Sequence, residues 1–363
     1  MRFLTLAFCL AACTSVTSGP SQTPIAVASS AGTRTPAPTA PVSTASPSVP
    51  TGPQRSVVTF YRAEDVVRGS AQPVRRLDVN VPVYDLQFGP DPRWAITSNV
   101  GERVPLRLLD LETGVITSVG LNLPADALNY RSVVRWLADG RLLLVGREIW
   151  IGGPRGEDPR SVFAKFAYEV VPSPSGKLLA ISTLDSGEIV VLALASGKMT
   201  TLTGPFRPCA QDGGIGIVWK PDEMFVAATD CSDAAQTAMQ TRLVRVADGR
   251  EIRNLSELSG LAWLPSGDLI ARGPFQARDD PAYWVVALDG TRRAIPSVGF
   301  MPSPDGRFLL GSVVRGAPTS ADPARREHFA QLVEVSTGRI LEVGEGRPVG
   351  WTASGEVALV SLF

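Results

Sequence analysis

Pro302-Ser303-Pro304-Asp305-Gly306-Arg307-Phe308-Leu309-Leu310 reads as a turn of Pro, Ser, Asp and Gly that runs straight into an apolar strand. The same device recurs at Gly89-Pro90-Asp91-Pro92, Ala138-Asp139-Gly140, Pro174-Ser175-Gly176, Lys220-Pro221-Asp222, Pro265-Ser266-Gly267 and Ala353-Ser354-Gly355. Seven such turns about 44 residues apart match the length of a four-stranded propeller blade. An aromatic stands just ahead of most of them, as Phe88, Trp136, Trp219, Trp263 and Trp351. An aromatic recurring at one position in five of the seven units is how inter-blade packing is written, so this column reads as core rather than as a ligand-stacking site.

A second turn follows within each unit, as Glu112-Thr113-Gly114, Ser196-Gly197, Asp248-Gly249, Asp289-Gly290 and Thr337-Gly338. The second unit, about Ser132 to Phe163, lacks it by motif. Between the turns lie short β-rich runs such as Leu178–Ser182 and Ile189–Leu194, without helical periodicity. The expected fold is therefore all-β: a seven-bladed propeller of four-stranded antiparallel blades over residues 56–363. The last unit supplies only two strands, Pro348–Trp351 and Glu356–Leu362, while the segment before the first supplies Val57–Arg62 and Val74–Val79. Closing the ring removes open sheet edges, so the seventh blade is expected to take its inner pair from the C-terminus and its outer pair from the N-terminus.

The Ser-Pro-Asp-Gly-Arg turn, followed by Phe308-Leu309-Leu310, resembles the WD-repeat-like propellers typified by TolB. The resemblance covers residues 56–363 and implies the fold, while propellers carry binding proteins, enzymes and scaffolds alike. The Trp-Asp dipeptide of true WD repeats is absent. The turn also occurs in prolyl-oligopeptidase-like hydrolases, but the Gly-x-Ser-x-Gly elbow of their catalytic domain is missing here.

Ahead of the repeats, Met1-Arg2 opens an apolar run from Phe3 to Ala12, too short to span a bilayer. Residues 1–12 read as a signal peptide. Leu10-Ala11-Ala12-Cys13 resembles the lipobox of bacterial lipoproteins, which implies acylation of Cys13 and an extracytoplasmic protein anchored to the membrane; the plainer alternative is a cleaved signal with an incidental cysteine. Residues 13–55 then form a tether of Pro, Ser, Thr and Ala that cannot bury a core and is expected to be disordered, or else an O-glycosylated stalk.

With 35 basic and 35 acidic groups, the chain has no electrostatic reason to bind nucleic acid. Cys209 and Cys231 flank the Lys220-Pro221-Asp222 turn almost symmetrically, an arrangement expected to give a disulfide outside the cytoplasm. A metal or redox pair fits less well, for want of a Cys-x-x-Cys spacing. His328 is the single histidine, in Arg325-Arg326-Glu327-His328, and reads as a solvated loop or strand edge. No cofactor and no multi-histidine metal site is expected; Asp230-Cys231-Ser232-Asp233 and Asp279-Asp280 read as charged loops rather than calcium ligands.

Long connections between second and third strands are the natural carriers of function in this architecture. They are expected at Asp230–Thr241, Gly273–Ala282 and Arg315–Phe329, with mixed charges from Asp230, Asp233, Arg278, Asp279, Asp280, Asp322, Arg325, Arg326, Glu327 and His328. Such a rim suits contact with an envelope protein or wall component. The reading is a lipid-anchored binding or scaffold module. Its alternative is an enzyme acting on a small molecule in the central channel, which calls for inward-facing acid or base residues.

Overall fold

The computed structural model describes residues 55–83, 85–98, 106–121, 123–124, 133–183, 187–202, 204–207, 216–232, 238–273, 282–296, 301–315 and 327–362. The expected signal, Cys13 and all of the tether but Arg55 lie outside them. The described chain begins with β1 (Ser56–Arg62), a one-turn helix α1 (Ala63–Val67) and β2 (Arg75–Val79). Six complete blades follow. The first is β3 (Asp85–Phe88), β4 (Trp94–Ser98), β5 (Leu106–Asp110) and β6 (Ile116–Val119); the second is β7 (Val133–Trp136), β8 (Leu142–Val145), β9 (Ile149–Gly152) and β10 (Arg160–Phe163). The third holds β11 (Ala167–Pro172), β12 (Leu178–Thr183), β13 (Ile189–Ala193) and β14 (Met199–Thr201), and the fourth β15 (Gly216–Trp219), β16 (Phe225–Cys231), β17 (Met239–Arg245) and β18 (Glu251–Ser256). The fifth comprises β19 (Ser259–Trp263), β20 (Leu269–Arg272), β21 (Tyr283–Val286) and β22 (Arg292–Ile295), and the sixth β23 (Met301–Pro302), β24 (Phe308–Arg315), β25 (Glu327–Glu334) and β26 (Ile340–Glu345). The chain ends with β27 (Arg347–Trp351) and β28 (Glu356–Leu362).

Every sheet is a four-stranded antiparallel meander, and the seventh is composite, ordered β2-β1-β28-β27. The expected closure is thus observed: β1 and β28 pair along their full length, from Ser56 opposite Leu362 to Arg62 opposite Glu356. This one seam of seven residue pairs closes the edges that the two terminal strands would otherwise leave open. Arg75 of β2 reinforces it, stacking its guanidinium 3.8 Å from the Phe60 ring centroid and donating 3.0 Å to the Leu111 carbonyl of the first blade.

The core is divided among the blade interfaces. Alternate residues of a strand face opposite sides, and here both sides are covered. Phe308 and Leu310 pack toward the seventh blade with Val357 and Leu359, whereas Leu309 packs toward the fifth with Ile270 and Val285. Leu142 likewise faces the first blade with Ile96 and Leu108, and Leu143 the third with Leu179 and Ile181. Burial on both faces explains why β8 reads Leu-Leu-Leu-Val, all buried, with no polar alternation.

The recurring turns also act between blades. The carboxylates of Asp91, Asp139, Asp222 and Asp305 each accept the backbone N–H two residues on, closing the turn. Gly306 sits at φ +72°, and a Cβ there would come within 2.4 Å of Pro265 in the preceding blade's turn. The glycine is therefore required twice over, by conformation and by close approach. The second unit does have its second turn, built by Gly153-Pro154-Arg155-Gly156: the Gly153 N–H donates 2.7 Å to Glu157 O, and Gly156 lies at φ +78°. The shared Ser/Thr/Asp-Gly pair is what this blade lacks, not the turn.

Candidate functional site

Of the expected rim residues, Asp233, Arg278, Asp279, Asp280, Asp322, Arg325 and Arg326 lie outside the described residues, and of Glu327 only its place at the start of β25 is described. Asp230 is not a loop residue. It lies in β16, opposite Gln240 of β17, and is 1% exposed. Pairing runs on to Cys231 opposite Met239, which absorbs residues assigned to the connection and shortens it to 232–238. Asp230 accepts 2.5 Å from Arg242 Nη2 and 3.3 Å from the Arg207 N–H; Arg242 also donates 2.8 Å to Pro205 O and stacks 3.8 Å from the Phe206 ring centroid. This cluster clamps the crossing strap Gly204–Arg207 onto the fourth blade. It is a buttress rather than a contact surface.

His328 likewise belongs to a strand. It sits in β25 opposite Val314, half-buried, with its carbonyl accepting 2.7 Å from the Gly346 N–H. The β24–β25 hairpin continues to Arg315 opposite Glu327, so the sixth-blade connection shrinks to 316–326. Arg315 braces that hairpin by donating 2.5 Å to Glu342 and lying 4.5 Å from the Phe329 ring centroid. With these limits, the connections of the fifth and sixth blades stand out, while that of the fourth is no longer than that of the first, residues 99–105.

Cys231 is 1% exposed at the end of β16. Beside it, β15 and β16 pair in a register that sets Trp219 opposite Val226. The Cys231 N–H donates 2.9 Å to the Arg207 carbonyl of the crossing strap. Cys209 itself lies outside the described residues.

A second feature lies at the innermost strands of the second and third blades. Val133 and Arg135 of β7, Val145 and Gly146 at the end of β8, and Phe166 through Val170 entering β11 line a cavity of about 290 Å³. Glu169 is half-buried there; its N–H donates 3.1 Å to the Ser182 hydroxyl and its carboxylate accepts the Ile217 N–H of the fourth blade. Burial pushes its pKa up to about 7, against the opposing pull of the Arg135 charge and the Ile217 N–H. Sequence reasoning passed over both groups. The available signal was positional: Arg135 precedes the column aromatic Trp136, and Glu169 interrupts an apolar first strand. Among the described residues, no group of three or more His, Cys, Asp or Glu is placed to hold a metal ion.

Three members of the tryptophan column bridge neighbouring blades. Trp219, Trp263 and Trp351 each donate an indole N–H to a carbonyl of the preceding blade, at 2.9, 3.2 and 3.0 Å.

No protein-family model and no curated protein matches the chain. Solved structures do. The Kuenenia stuttgartiensis hydrazine synthase is similar at a TM-score of 0.52 and 13% identity, over 77% of this chain and 95% of that one. Dihydro-heme d1 dehydrogenase NirN in complex with DHE is similar at 0.50 and 13%, over 80% of this chain and 73% of that one. A putative TolB from Agrobacterium tumefaciens aligns at 0.46 and 15%, over 86% and 99%. At such identities likeness shows the β-propeller fold alone, which hosts unrelated activities.

Proposed function

We propose that the chain is a lipid-anchored, extracytoplasmic binding module that docks an envelope protein or wall component on one face of the propeller. The lipobox-like Leu10-Ala11-Ala12-Cys13 and the tether behind it support the anchor and the location. Cys209 and Cys231 would be joined as a disulfide in that compartment, a reading supported by the burial of Cys231 and its backbone bond to Arg207. The observation that carries the docking face is the sixth-blade hairpin. Its strands run eight residues, where the innermost strand of the same blade has two, and lead into the connection 316–326; the corresponding connection of the fifth blade is 273–282.

In-cell cross-linking with mass spectrometry tests this reading on the full chain. Capture of one protein by the parent, lost when 274–281 and 316–326 are shortened, is expected. Equal capture by both forms, or capture of nothing, would overturn docking through this face.

A further inference from the structure

We propose that the cavity between the innermost strands of the second and third blades binds a small monocarboxylate with an apolar substituent, the carboxylate held between Arg135 and Glu169 and the substituent against Phe166, Val133 and Val145. The inference is independent of the docking face. Its volume, about 290 Å³, lies at the lower edge of the roughly 300–1,000 Å³ range of ligand pockets, which selects a small molecule. Two of its lining residues leave large apolar groups uncovered, Val133 at 43% and Phe166 at 37% exposure. A substituent seated there removes that surface from water.

The polar end is set by two groups from facing strands. Arg135 offers a planar fork of donors suited to a carboxylate. Glu169 faces Arg135 from β7, the Ile217 N–H from β15, the Ser182 hydroxyl that its own N–H meets on β12, and has Tyr168 beside it on β11. With its pKa near 7, Glu169 is largely neutral at pH 6 and can donate its proton in a hydrogen bond to the incoming carboxylate oxygen. The cavity then carries the single positive charge of Arg135. A cation meets repulsion, and a neutral ligand leaves the guanidinium without its anion.

Binding of the anion therefore takes up a proton. Affinity is expected to be level below pH 6 and about tenfold weaker at pH 8 than at pH 6, given a free-site pKa of about 7.

Titration calorimetry of the full chain with phenylacetate, 2-phenylethanol and phenethylamine tests this, at pH 6 and pH 8. Expected is millimolar or tighter binding of phenylacetate alone, weakened about tenfold at pH 8. Arg135→Gln should weaken it roughly tenfold or more, Arg135→Lys less, and Glu169→Gln should keep binding while losing the pH dependence. No binding of phenylacetate by the parent chain overturns the proposal. So does equal binding of the alcohol or amine, or a Glu169→Gln variant, folded by circular dichroism, that keeps the parent's pH dependence.

Discussion

Trp219 Nε1 donates 2.9 Å to the Val171 carbonyl, so the innermost strand of the fourth blade is tied to that of the third by a side chain. Trp263 and Trp351 repeat the tie to Val218 and Met301. The indole fills the blade interface and gives that carbonyl a side-chain donor from the next blade. Trp219→Phe keeps most of the apolar volume and removes only the indole hydrogen bond, and is expected to cost about 1 kcal/mol. Trp219→Ala adds a cavity and is expected to cost about 3–5 kcal/mol. Urea denaturation of the two variants measures both, and equal losses would mean that the hydrogen bond contributes nothing.

The Asp230–Arg242 pair gives a different kind of sensitivity. Asp230 is 1% exposed and its partner 9%, so removing the carboxylate leaves a buried guanidinium with Pro205 O, the Phe206 ring and the more distant Glu251 carboxylate, 3.9 Å away. Asp230→Ala is expected to lose about 3–5 kcal/mol, and the double variant Asp230→Leu with Arg242→Met much less, because an apolar pair removes both desolvation costs. Thermal unfolding of the three proteins checks the order. A double variant as unstable as Asp230→Ala would place the loss in packing rather than in the stranded charge.

The blade count and the closure were legible because both rest on local chemistry: a Pro, Asp and Gly turn forms wherever two strands meet at that end, and a unit short of two strands must find them elsewhere. The second turn of the second blade was hidden because Gly153 and Gly156 do its work with Pro154 and Arg155 between them, outside the Ser/Thr/Asp-Gly pattern. Asp230 reads as a loop residue, and the connection around His328 reads as too long, for a related reason. How far a hairpin extends is decided by cross-strand pairing, here Cys231 with Met239 and Arg315 with Glu327, which no short motif encodes. Arg135 and Glu169 stand far apart in sequence and meet only once two blades are side by side.

The cysteines offer a test of compartment. In protein purified from an oxidising compartment, thiol alkylation under denaturing conditions should leave Cys209 and Cys231 unlabelled, and reduction should expose both. Cys209→Ser is then expected to cost about 3 kcal/mol in the chain-entropy account of a loop of this size. Labelling of both residues before reduction would refute the disulfide.

Glu169 makes stability depend on pH in a direction opposite to that of most paired carboxylates. Its folded pKa, about 7, lies above the ordinary value of 4.5, so the folded state holds the proton more tightly than the unfolded chain does. The resulting stabilisation is complete below about pH 4.5 and is lost as the pH rises through 7. Taken at face value the span is about 3 kcal/mol; partial solvation of a half-buried group brings it to about 1–2 kcal/mol. Glu169→Gln keeps the shape and cannot ionise. It should match the parent near pH 4.5 and exceed it by about 1–2 kcal/mol at pH 8, where the parent must hold a charged carboxylate in the cavity wall. Denaturant titrations at the two pH values measure the difference, and a variant less stable than the parent at pH 8 would show that the Arg135 attraction outweighs the burial of the charge.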